Sequence, residues 1–461
     1  MAGEVKNTVD TISSKKLNQI DMERTMKLVE ARQIGSLDSL IESTSPTEHL
    51  VEEFPRLSAC YRNIRDNKDE ALEQYMAEIG LTLDEVTFPI EPVDDEELPE
   101  DIDEDYLTAI EEAITRIINF YQHERIQSWF VTGQNDELTG QKLNSIERVA
   151  VLMPSNWQFA PINLMMSIIP AIIAGVDELI VNLPPASQER EYDPKTYALI
   201  IWLCRRLGIT QIFRMPELAA VFAFALGTET VPKVDKMVGS GSDDIVAAAS
   251  LVSGSVGVKV LPDKNDTIFL CDETANEAFV VADLFAAAED PKLQNVTVLT
   301  TSTVKATEIS AEVDNYLENL PESSPIRDII KNRGAIVLTS TMDEAIEIIE
   351  QYPPKYLSLF VQHPMEYLAQ VHHAGALYLG DYSPAGMENY FASSSNLIPT
   401  GNCCRYSSPL DVYDFLKKTS IVYYTQRQVE HVYNMINMLA DKDNLPFHRK
   451  SFEIRLKQFK Q

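Results

Sequence analysis

The sequence predicts an α/β protein made of two tandem Rossmann-like parallel-sheet units, preceded by a helical N-terminal arm and followed by a C-terminal arm. Three observations lead there. From Arg148 onward, short apolar runs alternate with helical patterns: ERVAVLMP, a helix through Met165 to Ala174, ELIVNLPP, the helix ALIIWLCRRLG, then QIFRM. A second series begins at Thr267 with TIFLCD, the helix of Glu277 to Ala288, NVTVLTTS, the helix of Val304 to Leu320, GAIVLTS, the helix of Asp343 to Tyr352, LSLFV and GALYLG. Strand–helix–strand order implies parallel strands joined by right-handed crossovers. Finally, 461 residues of 45% hydrophobic composition can bury more than one core, so two or three domains are expected.

Ahead of the first unit, Asp21 to Ala31 and Leu37 to Ile41 give short helical patterns, and Tyr61 to Ile79 gives a longer one. The acidic run Glu91 to Asp105 reads as a solvated linker and helix start, or alternatively as an interaction patch or cation site. Behind it, Leu107, Ile110, Ile114, Ile117, Ile118 and Tyr121 recur at helical spacing on one face. Asp103, Glu104 and Asp105 suit the positive end of that helix.

A net charge of −31, from 39 basic and 70 acidic side chains, repels phosphate backbones and anionic lipid. Nucleic acid and membrane are therefore not expected as partners, and Arg205-Arg206 and Arg449-Lys450 are too short to change this. No apolar run reaches the ~20 residues of a membrane-spanning helix, and MAGEVKNTVDTISSKK lacks a signal peptide's apolar core, so a cytoplasmic location is expected. Cys60, Cys204, Cys271, Cys403 and Cys404 are odd in number and show no C-x-x-C spacing, which suits reduced thiols. The vicinal pair Cys403-Cys404 reads either as two small loop fillers or as a redox bridge or soft-metal ligand.

The stretch from Gln351 to Lys417 holds the loops where chemistry could sit. Its frame of Y-P-P-K-Y-L, A-G-A-L-Y-L-G, E-N-Y, S-N-L-I-P-T and S-P-L-D-V-Y-D-F resembles the C-terminal half of the histidinol dehydrogenase family. In the first unit, MSIIPAIIAGVDELIVNLPPA and ALGTETVPKVDKMVGSG resemble that family too, so the likeness spans about Arg116 to Lys457. It implies an enzyme using Zn and NAD, and a helical arm (1–126), two Rossmann-like units (127–262 and 263–385) and a C-terminal dimerisation arm (386–461). Much of the chemistry the resemblance implies is nevertheless changed. The family's Glu-His acid–base pair is Lys355-Tyr356 here, the Asp of its G-D-Y is Asn389, and its Asn-His is Ser395-Asn396. Its zinc-binding run S-Q-A-E-H is Ala286-Ala287-Ala288-Glu289-Asp290, and its substrate run A-G-P-S-E is Pro262-Asp263-Lys264-Asn265-Asp266. Only His448 survives at a matching ligand position.

On the nucleotide side, Ser155-Asn156 stand for two glycines, Ala219 for a glutamine, and Gly239-Ser240-Gly241-Ser242 for G-P-G-N. A glycine lets backbone approach phosphate where a Cβ collides, so these losses weaken a dinucleotide site. No catalytic, cofactor-binding or metal-binding residue is therefore expected, and no cofactor. A neutral amide at Asn389 binds a divalent ion less well than a carboxylate, although Glu388, Glu289 or Asp290 with His448 offers a rescue set. Otherwise these carboxylates are surface or helix-end groups. Lys355 and Tyr356, with ordinary pKa values near ~10, stay protonated in an ordinary setting. A buried Lys355 would instead be a new base or Schiff-base nucleophile; a solvated or ion-paired one would be inert. His372 and His373 would point to different sides of a helix or strand.

Lys355, Tyr356, Glu388, Asn389, Asn396 and His448 are thus candidates to line a ligand cleft. Three readings stand open: a degenerate family member acting as a binding or assembly partner of a related enzyme; an NAD-dependent dehydrogenase oxidising L-histidinol to L-histidine, or another small alcohol; and a metal-free sensor of a small molecule. The aromatic and aliphatic content of CRYSSPLDVYDFLKKTSIVYYT and QVEHVYNMINMLA suits a homodimer, the alternative being a helix docked on its own domain.

Overall fold

The computed structural model describes residues 25–31, 46–89, 102–154, 160–185, 194–209, 211–391, 395 and 397–458. Among them fifteen strands form: β1 Lys27–Glu30, β2 Thr87–Pro89, β3 Trp129–Thr132, β4 Leu138–Ser145, β5 Arg148–Leu152, β6 Glu178–Asn182, β7 Gln211–Phe213, β8 Lys236–Gly241, β9 Gly257–Pro262, β10 Asn265–Cys271, β11 Leu293–Thr300, β12 Gly334–Leu338, β13 Tyr356–Phe360, β14 Ala376–Leu379 and β15 Leu416–Tyr423. They make three sheets. The first has the order β2-β7-β6-β5-β8-β9, parallel except for β2, and the second is an all-parallel β1-β12-β11-β10-β13-β14. Both tandem parallel sheets expected from the apolar runs are therefore present.

Alternation along each strand explains why each sheet is covered on both faces. In β5, Val149 and Val151 join one core with helices Glu104–Gln122, Ala160–Ala174 and Pro194–Arg206. Ala150 and Leu152 point the other way, into a core built with helices Pro46–Asn67, Asp69–Glu78, Glu217–Leu226 and Asp243–Val252. The second sheet repeats the pattern: Phe269, Cys271, Val296 and Val298 face one core, Ile268, Leu270, Leu357 and Leu359 the other.

Helix Glu104–Gln122 forms as its spacing predicts, burying Leu107, Ile110, Ala113, Ile114, Ile117 and Tyr121, with Asp103 accepting from Asp105 N at 2.8 Å as its cap. Each of its buried leucine and isoleucine side chains contributes about 1.5–3 kcal/mol. Tyr121 also donates to Leu410 O at 3.2 Å, fastening the C-terminal arm to this core. Asp414, paired with Lys236 at 3.2 Å and Lys259 at 3.3 Å, places the buried Phe415 there too.

Several expectations need correction. The described part of the Asp21–Ala31 pattern holds a strand, not a helix: Lys27–Glu30 pairs with Ala335–Leu338. The Leu37–Ile41 pattern lies outside the described residues. The Tyr61–Ile79 helix is two helices, broken at Lys68, whose φ is +49°. Within residues 1–126, β1 and β2 complete the edges of the second and first sheets. Within 386–461, β15 pairs antiparallel with β4 over eight residues, in a third sheet β15-β4-β3 that hydrophobic patterning did not reveal. Among the described residues no helix is long and apolar enough to cross a membrane.

Candidate functional site

Between the two large sheets lies a cavity of about 150 Å³. The first sheet supplies its wall from Leu152, Met153, Gly239 and Ser240, at the carboxyl ends of β5 and β8. Chain connections leave these adjacent strands in opposite directions, which makes their ends the ligand-prone crevice of an open α/β sheet. The second sheet faces it with the amino ends of β10, β11 and β13: Asn265, Thr267, Leu293 and Tyr356. Gly239 sits at φ +146°, and a Cβ there would lie 2.2 Å from Leu152 O, so strand pairing itself demands glycine.

Polar groups from four segments converge on the second-sheet side. Lys355 is 7% exposed, and its Nζ donates to Asn265 Oδ1. Asn265 in turn donates through Nδ2 to Asp290 Oδ2, which fixes its carbonyl oxygen toward the lysine. Asp266 accepts from Lys355 N at 3.1 Å and from the Thr400 hydroxyl. Among the described residues no carboxylate lies within 4.0 Å of the Lys355 ammonium. Burial consequently holds its pKa below the ordinary lysine value, against the opposing fields of Asp290, Asp266 and Glu388. The other cavity lysine, Lys292, is ion-paired with Asp263.

The acids respond in the opposite sense. Burial raises Asp290 and Asp266, the latter partly offset by its bonds from Thr400 and the Lys355 amide. Asp283, on helix Glu277–Ala288, is pushed up to about 6 by burial alone. Tyr356 is likewise shifted upward by burial, so its phenol stays protonated.

Of the six candidates, Lys355, Tyr356 and Asn389 line the cavity. Glu388 does not: it is 2% exposed, with the Tyr378 hydroxyl donating to Oε2 at 2.5 Å. It is not a surface carboxylate, since it lies buried near the end of the short 3₁₀ turn Ala385–Asn389. His448 is exposed on helix Pro446–Gln458, which packs on Gln426–Lys442 and contributes nothing to the cavity wall. Asn396 and Ser155-Asn156 lie outside the described residues. The solvated or ion-paired expectation for Lys355 is corrected, since the side chain is buried with an amide partner. His372 and His373 occupy a loop rather than a helix or strand, and both approach Glu350, His373 at 2.5 Å and His372 at 3.6 Å. Sequence reasoning did not single out Asp283. Its signal was a lone charge inside the apolar helix EAFVVADLFAAA.

Among the described residues no group of three or more His, Cys, Asp or Glu side chains is placed to hold a metal ion. All five cysteines are free thiols. The described start of helix Asp243–Val252 already carries Asp243 and Asp244 in its first turn, where a pyrophosphate would be repelled. Ala219 is buried in the core, and a Cβ on Gly241 would lie 2.7 Å from Ile245, so these positions serve packing.

The sequence signature of the histidinol dehydrogenase family matches residues 45–456. A histidinol dehydrogenase of Bacillus cereus is 30% identical over 426 residues, covering 92% of this chain and 97% of that protein. One from Bacillus subtilis is 32% identical over 405 residues, covering 88% and 93%. The crystal structure of histidinol dehydrogenase from Elizabethkingia anophelis superposes with a TM-score of 0.79 at 21% identity, covering 95% of this chain and all of that one.

Proposed function

Because the chain belongs to the histidinol dehydrogenase family, we propose that it is a catalytically degenerate member, keeping the family's fold and a small-molecule cavity but not its oxidation. One observation carries this reading: the cavity corner that should gather metal-binding and proton-transferring groups instead holds Lys355, Asn265 and Asp290 bonded in series. A carboxylate engaged by an amide beside a buried amine suits a divalent cation poorly, and Ala287 and Asn389 add no anionic ligand. The residues present therefore do not fit zinc, nor do those at the described helix start fit a dinucleotide phosphate. Protonated Tyr356 offers no base near neutrality.

The protein binds a small ligand between its sheets and acts as a binding or assembly partner. A second copy covers the arm, where Tyr423, Met438, Leu439 and Phe447 are exposed. Its acidic charge and free thiols suit the cytoplasm.

Elemental analysis of purified protein, with NADH formation measured on L-histidinol, tests the proposal. The expected result is no stoichiometric divalent metal and no turnover. A tightly held metal together with turnover would overturn it and leave an NAD-dependent dehydrogenase.

A further inference from the structure

We propose that Lys355 is a nucleophilic amine that captures a small aldehyde or ketone in the cavity as an imine. This deepens the reading of the cavity as a ligand site, and rests on it, by naming the chemical class of the ligand.

The geometry separates Lys355 from Lys305, the other buried lysine among the described residues, on the helix Thr303–Glu318. Lys305 is 8% exposed, yet it reaches Glu308 at 2.7 Å and Glu277 at 3.0 Å, so its charge is compensated. Lys355 is as deeply placed but meets one neutral amide oxygen, with the Tyr356 ring centred 5.1 Å from Nζ. A ring face recovers only part of the hydration an ammonium loses on burial. Burial penalises the ammonium relative to the neutral amine and holds the Lys355 pKa below its ordinary value, against the raising fields of Asp290, Asp266 and Glu388. With one N–H directed to Asn265, whose orientation Asp290 fixes, the nitrogen keeps a lone pair for an electrophile. Removing a lysine from water is one of the usual means of activating this nucleophile.

The cavity suits the partner. Its volume matches cavities that hold benzene, which sets the ligand at about six to eight non-hydrogen atoms. Leu152, Met153, Leu261, Phe269 and Ile398 supply apolar wall, and Ala286 at the rim is open to solvent. The chemistry balances without oxidant or reductant. The Nζ lone pair bonds to the carbonyl carbon as the π pair moves onto oxygen, and a proton passes from nitrogen to that oxygen, giving a carbinolamine. The hydroxyl then leaves with a second proton as water, the nitrogen lone pair closes the C=N bond, and loss of the remaining N–H proton leaves a neutral imine.

The test incubates the full chain with propanal and sodium cyanoborohydride at neutral pH and maps propylated peptides by mass spectrometry. Lys355 is expected to be propylated about tenfold or more faster than the exposed Lys417 and Lys418. Lys355→Met should lose this label and keep the surface ones. Labelling of Lys355 no faster than of Lys417, or none at all, would overturn the proposal.

Should Lys355→Met not fold, the pH–rate profile of wild-type labelling decides. The groups bearing on Nζ are Asp266, Asp290, Glu388 and Cys404. A Lys355 rate that levels off at lower pH than that of Lys417 supports the imine; parallel profiles sink it. Metal content and NADH formation are read on the same preparation. Metal with turnover removes the degenerate reading while a labelled Lys355 still stands, whereas metal-free, inactive protein with Lys355 unlabelled removes the imine alone.

Discussion

Replacing Asp283 by Asn should stabilise the protein above neutrality and leave it unchanged in acid. The carboxyl lies on the cavity wall and is held at about 6 by burial, against an ordinary value of 3.8. An acid raised in the folded state favours its protonated form there, so its penalty is absent below the unfolded value and complete above the folded one. Wild-type stability attributable to this group therefore falls as pH rises from about 4 to about 6, and stays low beyond. Roughly two pH units at about 1.4 kcal/mol each set a ceiling near ~3 kcal/mol. Part of the carboxyl faces water, which reduces the expected gain to about 1–2 kcal/mol. For a chain of 461 residues this corresponds to a rise in Tm of about 1–2 °C. Paired thermal melts of wild type and Asp283→Asn between pH 4.5 and 8 read it as a difference that opens with pH. A gap that does not change with pH, or a variant less stable at pH 8, would refute the assignment of the penalty to a buried charge.

Two further substitutions probe the frame around the cavity. Gly239→Ala forces a methyl toward Leu152 O at a backbone angle glycine alone accepts, so a loss of about 3 kcal/mol or more is expected in urea unfolding. Gly254→Ala, with φ +99° and nothing within 4 Å, should cost only about 1–2 kcal/mol, and equal losses for the two would remove the clash as the cause. Tyr378→Phe takes one hydrogen bond from the buried Glu388 carboxyl and should cost about 1–3 kcal/mol, a value unaltered Tm would contradict.

What could be read in the sequence follows from how each element is stabilised. Strands such as β5, β10 and β13 are buried on both faces and leave continuous apolar runs, so they were visible. β1 is four residues long and finds its partner roughly three hundred residues later, so no local period marks it. β3, β4 and β15 stack largely solvated side chains, and their pairing is set by backbone hydrogen bonds that composition does not display. At the site, Lys355, Tyr356 and Asn389 were found because they sit in a recognisable frame. The burial of Glu388 was not, since it depends on a tyrosine one strand away. Whether Lys355 is ion-paired likewise depends on Asn265 and Asp290, brought beside it by β10 and the turn before β11.

The pairing of Lys27–Glu30 with β12 has a consequence for how this molecule comes into being. A ribosome delivers that strand early, yet the ledge it must lie on emerges only after most of the chain has been synthesised. Severing the polypeptide between Pro262 and Asn265 would yield a front fragment carrying an orphaned ribbon, and a rear fragment whose outer seam is bare and whose final ribbon, β15, has lost β4. The two lobes are stitched at both ends, so gene halves expressed together should rebuild the protein while either alone should aggregate.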